Sequence, residues 1–230
     1  MSLINSPAKH GNRRSLSPLD KLIVSFDRTL RSLNPGAKQT TRESPAAEQK
    51  AAEPPADNID TIRERRNTAG LMRINHTGEV CAQALYKGQS LTARDVVTRE
   101  AMLESAREEE DHLAWCEERL QQLDARPSML NPAFYAMSFG IGTLAGALGD
   151  RLSLGFIAAT ERQVCEHLRE HLAQLPQGDA KSRAILQQML ADEAAHGEKA
   201  IAFGGMEFHP LAERVMKVMS KVMTGTTYYI

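Results

Sequence analysis

Six residues could carry chemistry in this chain: Glu79, the quartet Glu109-x-x-His112, Glu161 and the quartet Glu193-x-x-His196. A lone Glu is followed 30 residues later by a Glu-x-x-His, and the pair recurs with a spacing of 32. Three residues along a helix set Glu and His about one turn apart on one face. A gap of about 30 residues fits the rest of one helix, a short connection and the first half of the next. Four helices would then offer Glu, Glu-His, Glu and Glu-His to a common interior, a ligand set that holds two metal ions in helix bundles. Carboxylates with imidazoles suit iron or manganese and leave room for a small molecule. One Glu-x-x-His says little, because Glu and His are common on solvated faces. Two, each preceded by a Glu at nearly the same distance, form an internal repeat.

Two ions need about six protein ligands if positions are to stay open. In this pattern Glu109 and Glu193 are best placed to bridge, Glu79 and Glu161 to bind one ion each, and His112 and His196 to hold one each. Apolar Leu113, Leu120, Leu190 and Ala200 share the same helical sectors, which argues against a solvated face. A metal-bound His usually donates its other ring N–H to an acceptor. Asp192 and Glu108, each one residue before a quartet Glu, either serve there or are plain solvated acids. Tyr86, seven residues after Glu79, shares its face and either hydrogen-bonds a ligand or substrate or packs as a core tyrosine. His76, three before Glu79, lies on that side too. His167 falls six after Glu161, off the metal face of a regular helix, and only a local irregularity would bring it in. Cys116 and Cys165 lie four residues after His112 and Glu161, on the metal face, where a free Cys is ordinarily a small buried apolar side chain.

Positioning these residues takes several helices. Ser17-Pro18 and Asp20 open a short amphipathic helix over Leu19–Leu33, closed by Asn34-Pro35-Gly36. Gln39 to Asp57, rich in Ala, Pro, Glu and Ser, is expected to be a disordered linker. Core helices are predicted over about 60–90, 93–123, 131–149, 152–175, 179–203 and 209–223, from helical periodicity and from breaks at Pro127, Pro176-Gln177-Gly178 and Gly204-Gly205. Keeping a helix through Gly78 costs about 1 kcal/mol against Ala, so close packing is expected there. The resulting domain plan is a basic N-terminal segment over 1–58 and a helical domain over 59–230. The two ligand-bearing hairpins should pack with approximate two-fold symmetry.

Composition narrows the function classes. A net charge of −1 leaves no nucleic-acid footprint, and 5% aromatics argues against a stacking or all-β fold. Three cysteines without CxxC spacing, and no secretory segment, read as a reducing compartment. Ser128 to Gly149 carries no charge for 22 residues, enough to cross a bilayer. Its Asn-Pro and four glycines, and the separation of the ligand hairpins that a span would impose, favour a buried or interfacial segment. In the last helix Val215, Met216, Val218, Met219, Val222 and Met223 are expected to face one way and Arg214, Lys217 and Lys221 the other. With Tyr228-Tyr229 this suits a headgroup interface, or else a Met-rich core or oligomer contact, and the two readings can coexist.

The words around the ligands resemble the demethoxyubiquinone hydroxylase family of ubiquinone biosynthesis. The likeness runs through LMRINHTGEVCAQALYKGQ, EEEDHLAWC, GFIAATERQVCEHL, DEAAHGEKA and the tail SKVMTGTTYYI, covering Ile59 to Ile230 and a short start at Leu19 to Leu33. It implies an all-α, ferritin-like four-helix bundle with additional membrane-facing helices. The implied activity is O2-dependent hydroxylation of a polyprenylated benzoquinol ring at two iron ions cycling between ferrous and ferric. It also implies a peripheral place on a membrane lipid surface: the cytoplasmic face of a bacterial inner membrane, or the matrix face of the mitochondrial one. Two electrons must come from outside, from a nicotinamide such as NADH or from the quinol itself, since no GxGxxG fingerprint is present. Quinone-biosynthesis partner proteins and a homo-oligomer fit the resemblance. The rivals are a ferritin- or rubrerythrin-type iron-handling or peroxide-reducing protein, and a non-enzymatic scaffold of a quinone-synthesis complex.

Overall fold

The computed structural model describes residues 40–48, 59, 61–208 and 210–230. Its elements are a single helical turn α1 (Pro45–Glu48), the long helices α2 (Ile62–Thr92) and α3 (Val96–Gln122), then α4 (Asn131–Ala147), α5 (Asp150–Gln174), α6 (Ala180–Ala202) and α7 (Pro210–Thr227). The described residues contain no strand, and the fold is all-α.

Local chemistry explains most helix starts, because a first turn leaves backbone N–H groups unpaired. Thr61 and Glu64 close a reciprocal capping box on α2. Asp95 accepts from Thr98 N at 2.7 Å to open α3, and Asp179 accepts from Ser182 N at 3.0 Å to open α6. Pro132 starts α4, where its missing N–H costs nothing. The Asp150 carboxylate accepts from the backbone N–H groups of Arg94 and Asp95 at 3.0 and 2.8 Å, pinning the α2–α3 turn to the start of α5.

Helices α2 and α3 form one hairpin and α5 and α6 another, and the two face each other through α3 with α6 and α2 with α5. Buried apolar residues gather in two layers across the four hairpin helices and a smaller cluster, Val80, Ala84, Leu113 and Tyr135, under α4. One layer holds Met72, Trp115, Leu120, Leu168, Leu186 and Met189. The other holds Tyr86, Met102, Ala106, Leu154, Ile157 and Ala200. Along every one of the four helices the Glu and His ligand candidates fall between these layers. Buried Arg119 ties the hairpins beyond the first layer, donating to Asp179 at 2.9 Å and to Ser182 at 2.8 Å.

The uncharged stretch forms α4, which lies along α2. A methyl group at Gly142 would collide with the Leu85 backbone carbonyl, and one at Gly88 with that of Phe139. The glycines therefore serve close helix approach. Among the described residues no helix is long and apolar enough to cross a membrane.

Four expectations change. Gly78 is not a packing contact: nothing lies within 4 Å of a Cβ placed there. Residues 40–48 are not an unstructured linker: α1 packs on α6, and Ala46 is buried in the first apolar layer. The apolar face of α7 is two faces, because Met216 and Met223 turn to a cavity, with Met219 at its exposed rim, while Val215, Val218 and Val222 stay exposed. Tyr228 is not free to meet a headgroup, since its hydroxyl donates to Asn67 at 2.9 Å and its ring fills the space over Gly70. The helix expected over Leu19–Leu33, the basic N-terminal residues and the rest of the linker lie outside the described residues.

Two glycines on α4 should respond oppositely to Ala. Gly140 has open space, so Gly140→Ala should stabilise the fold by up to about 1 kcal/mol through helix propensity. Gly142→Ala should destabilise it by about 1–3 kcal/mol by forcing α4 off α2. Denaturant midpoints of the two variants check this.

Candidate metal centre

The periodicity that buries one face of each hairpin helix also carries the six residues inward. Glu79 on α2, Glu109 and His112 on α3, Glu161 on α5, and Glu193 and His196 on α6 are all buried. His112 Nδ1 lies 2.9 Å from Glu109 Oε2, 3.0 Å from Glu193 Oε1 and 3.6 Å from Glu79 Oε2. His196 Nδ1 lies 3.1 Å from Glu193 Oε2 and 3.4 Å from Glu109 Oε1. Glu109 and Glu193 thus each turn one oxygen toward one imidazole and the other oxygen toward its counterpart. Glu79 belongs to the His112 side. Glu161 groups with Glu193 and His196 on the other, and in each group the donor atoms lie within 4.8 Å of one another.

The outward ring nitrogens cross between hairpins. His112 Nε2 on α3 meets Asp192 Oδ2 on α6 at 2.9 Å. His196 Nε2 on α6 meets Glu108 Oε2 on α3 at 2.5 Å. Tyr86 donates its hydroxyl to Glu161 Oε1 at 2.8 Å. His76 turns away from the cluster: Asn131, whose oxygen accepts from Thr77 at 2.7 Å, donates to His76 Nδ1 at 3.2 Å, fixing the start of α4. His167 is also elsewhere, with Nε2 3.0 Å from Ser220 Oγ on α7. The cysteines stay out of both groups: Cys116 packs on Met189 Sδ at 3.8 Å, and Cys165 points to the Leu190 carbonyl. Two residues without a sequence signal reach this site. Arg42 donates to Asp192 at 2.8 Å, and Asp111 is buried beneath it. Only the packing of residues 40–48 reveals them, because no spacing rule links them to the quartets.

Electrostatics describes a site built to hold positive charge. Burial, then the charge of Glu193, pushes the Glu79 carboxyl well above its usual range. Burial with Glu193 and Glu109 does the same to Glu161. Burial also opposes ionisation of Glu109, but hydrogen bonds from His112 and His196 outweigh it and hold this carboxyl low. For the imidazoles burial works against charge and loses. Asp192, Glu109 and Glu193 lift His112 well above its ordinary value, and Glu109 and Glu193 push His196 up to about 12. Burial followed by the charge of Glu161 keeps the Tyr86 phenol protonated. These shifts disfavour the charged form of Glu79 and Glu161 and favour the charged form of both imidazoles.

Divalent ions fit this set. Glu161 Oε2 is buried with no hydrogen-bond partner, and Glu193 Oε1 and Glu109 Oε1 have only the imidazole contacts of His112 and His196, a costly state for carboxylate oxygens unless a cation meets them. Four carboxylates match the charge of two dications, and two imidazole nitrogens complete six donors.

Comparison with known proteins agrees with this architecture. Residues 66–227 match the family described as ubiquinone biosynthesis protein COQ7. The chain belongs to the COQ7 family. It is 56% identical over 217 residues to the 3-demethoxyubiquinol 3-hydroxylase of Pseudomonas paraeruginosa, covering 94% of this chain and 98% of that one. It is 55% identical over 219 residues to the protein of the same name from Stutzerimonas stutzeri, covering 95% and 99%. COQ7 proteins are ferritin-like helical bundles, the fold seen here.

Loading the metal-free protein should release protons, because ligands must deprotonate to bind. Apparent affinity should therefore fall as pH is lowered, and calorimetric heats should scale with buffer ionisation enthalpy. Glu193→Ala should lower stoichiometry from two ions per chain and abolish activity, since this carboxylate faces both halves. Metal analysis showing two bound ions in that variant would refute the assignment.

Proposed function

We propose that this chain hydroxylates the ring of 3-demethoxyubiquinol, the activity for which its curated relatives are named. The observation that carries the reading is an apolar cavity of about 390 Å³ between α2, α4, α5 and α7, with Glu79 in its wall. A site for iron storage or peroxide reduction has no need of such a chamber, and a scaffold has no need of buried unpaired carboxylates. The volume falls in the range of ligand pockets that enclose a small molecule. Phe134, Met137 and Ile141 from α4 and Met216, Met219 and Met223 from α7 offer flexible apolar surface to a prenyl tail. Gly78 leaves part of the chamber open beside Glu79, where a ring would sit.

Two iron ions held by Glu79, Glu109, His112, Glu161, Glu193 and His196 would supply the activation of O2. The protein's residues do the rest. The apolar walls exclude water and seat the ring against Glu79. Tyr86 keeps its proton and donates a hydrogen bond to Glu161, fixing that carboxylate. Asp192 and Glu108 orient the two imidazoles. One oxygen atom enters the ring and the other leaves as water, which takes two protons and two electrons from an external donor such as NADH.

The substrate's tail also accounts for the outer surface. On α7 Leu211, Val215, Val218 and Val222 are exposed, and on α4 Met137, Leu144 and Leu148. These are also helices that wall the cavity, so the same two elements carry exposed apolar surface that suits insertion into one leaflet. The enzyme would dock peripherally, on the inner-membrane face that its compartment offers.

The direct test is turnover of iron-loaded protein with 3-demethoxyubiquinol, a reductant and isotopically labelled O2, with label expected in the ring. Peroxide consumption without ring labelling would favour the iron-handling rival. Gly78→Leu should leave iron content unchanged and cut turnover at least tenfold by filling the chamber. Val218→Asp with Val222→Asp should weaken liposome binding and cost more activity on long-tailed quinols than on short soluble analogues. Equal losses on both would place the docking surface elsewhere.

A further inference from the structure

The structure assigns a third component to the metal centre: the strap of residues 40–48, with Arg42 as a positioning residue that makes the two halves of the site unequal. Thr41 donates from its backbone N–H to Asp111 Oδ1 and from its hydroxyl to Oδ2, both at 2.7 Å. Arg42 Nε donates to Asp111 Oδ2 at 3.1 Å, and Nη1 donates to Asp192 Oδ2 at 2.8 Å. That Asp192 oxygen is the one that accepts from His112 Nε2. The guanidinium sits 4.9 Å above the Trp115 ring, which in turn packs 5.3 Å from the His112 ring. Buried Ala46 anchors the far end of the strap in the first apolar layer. Arg42 lies outside the residues that the family match covers.

The other half of the site has no such device. His196 Nε2 is met by Glu108, whose side chain is 42% exposed against 17% for Asp192. Among the described residues no Lys or Arg pairs with Glu108. An internal repeat that would make the two imidazoles equivalent is therefore broken by one arginine from another part of the chain. Arg42, itself held by Asp111, gives Asp192 one charge-assisted hydrogen bond and brings Nη2 to 3.4 Å from His112 Nε2. This fixes that carboxylate and its imidazole, whereas an exposed glutamate can swing. Carboxylates behind metal-bound imidazoles typically govern about ten- to a hundredfold in affinity. The ion on the His112 side is thus the more tightly held, and Arg42 acts on it through Asp192.

The inference rests on the two-metal reading and is tested separately from it. Anaerobic Co(II) titration of the metal-free full chain, followed by its visible absorption, should show two steps for the wild type. Arg42→Gln should weaken one step about ten- to a hundredfold and leave the other in place. Asp192→Asn should weaken that same step, and the double variant should lose no more than Asp192→Asn alone, as expected of residues in one chain of contacts. Arg42→Lys, which keeps charge without the fork, should fall between. Two wild-type steps in Arg42→Gln would overturn the proposal, as would equal weakening of both steps or additive losses in the double variant. A lower melting temperature with unchanged Co(II) binding would make the strap structural only and overturn it too. A wild type that binds fewer than two Co(II) ions would sink the two-metal reading, and this inference with it.

Discussion

Four carboxylates share the centre of a helix bundle, and much of the remaining structure compensates for that. Removing one carboxylate from water costs several kcal/mol even after the protein relaxes. Glu79, Glu109, Glu161 and Glu193 also repel one another, so their charge must be met inside the core. Two imidazoles meet part of it, held cationic against the penalty of burial. Burial and mutual repulsion push the Glu79 and Glu161 carboxyls toward their neutral form, and metal ions would meet the whole charge. The apolar layers above and below keep solvent out, which strengthens each of these interactions.

The same constraint explains why the hairpins are coupled rather than merely packed. Each imidazole belongs to one hairpin, while the acid behind it comes from the other: Asp192 for His112, Glu108 for His196. Separating α3 from α6 would strand an imidazole and a carboxylate on both sides at once. Arg119 and Asp179 repeat the logic farther along the same pair of helices. A ligand set of this kind tolerates little drift, since buried polar networks are stabilising only while every member is satisfied.

Much of the bundle is legible in the sequence because it is local. Quartet spacing, the distance between repeats and the helix breaks are all properties of one or two helical turns, and they suffice to bring six residues to one interior. What escapes is tertiary. The composition of 39–57 gives no sign that Thr41 and Arg42 find buried Asp111, because a few polar hydrogen bonds to a folded surface need no periodicity. Gly78 and Gly142 look alike in sequence, yet one opens a chamber and the other permits helix contact. The residues of α7 read as one apolar face because a 3.6-residue period cannot tell a cavity wall from an exposed surface when both are apolar.

That double use of α7, and of α4, makes the apolar residues on their outer faces intelligible. A soluble domain seldom leaves Leu144, Leu148, Val218 and Val222 all exposed. On the proposed reading, a chamber reached from a lipid phase would need walls apolar on both sides, because a substrate's tail would then pass from one apolar medium to another without crossing water. The strap lies on the opposite part of the molecule's logic, on α3 and α6 and not on the cavity helices. Helices α2 and α5 both wall the cavity and carry Glu79 and Glu161, while the strap acts from the far side through α3 and α6. On the proposed reading a prenyl chain would rest against α4 and α7, and Arg42, Asp192 and His112 would hold one ion in place.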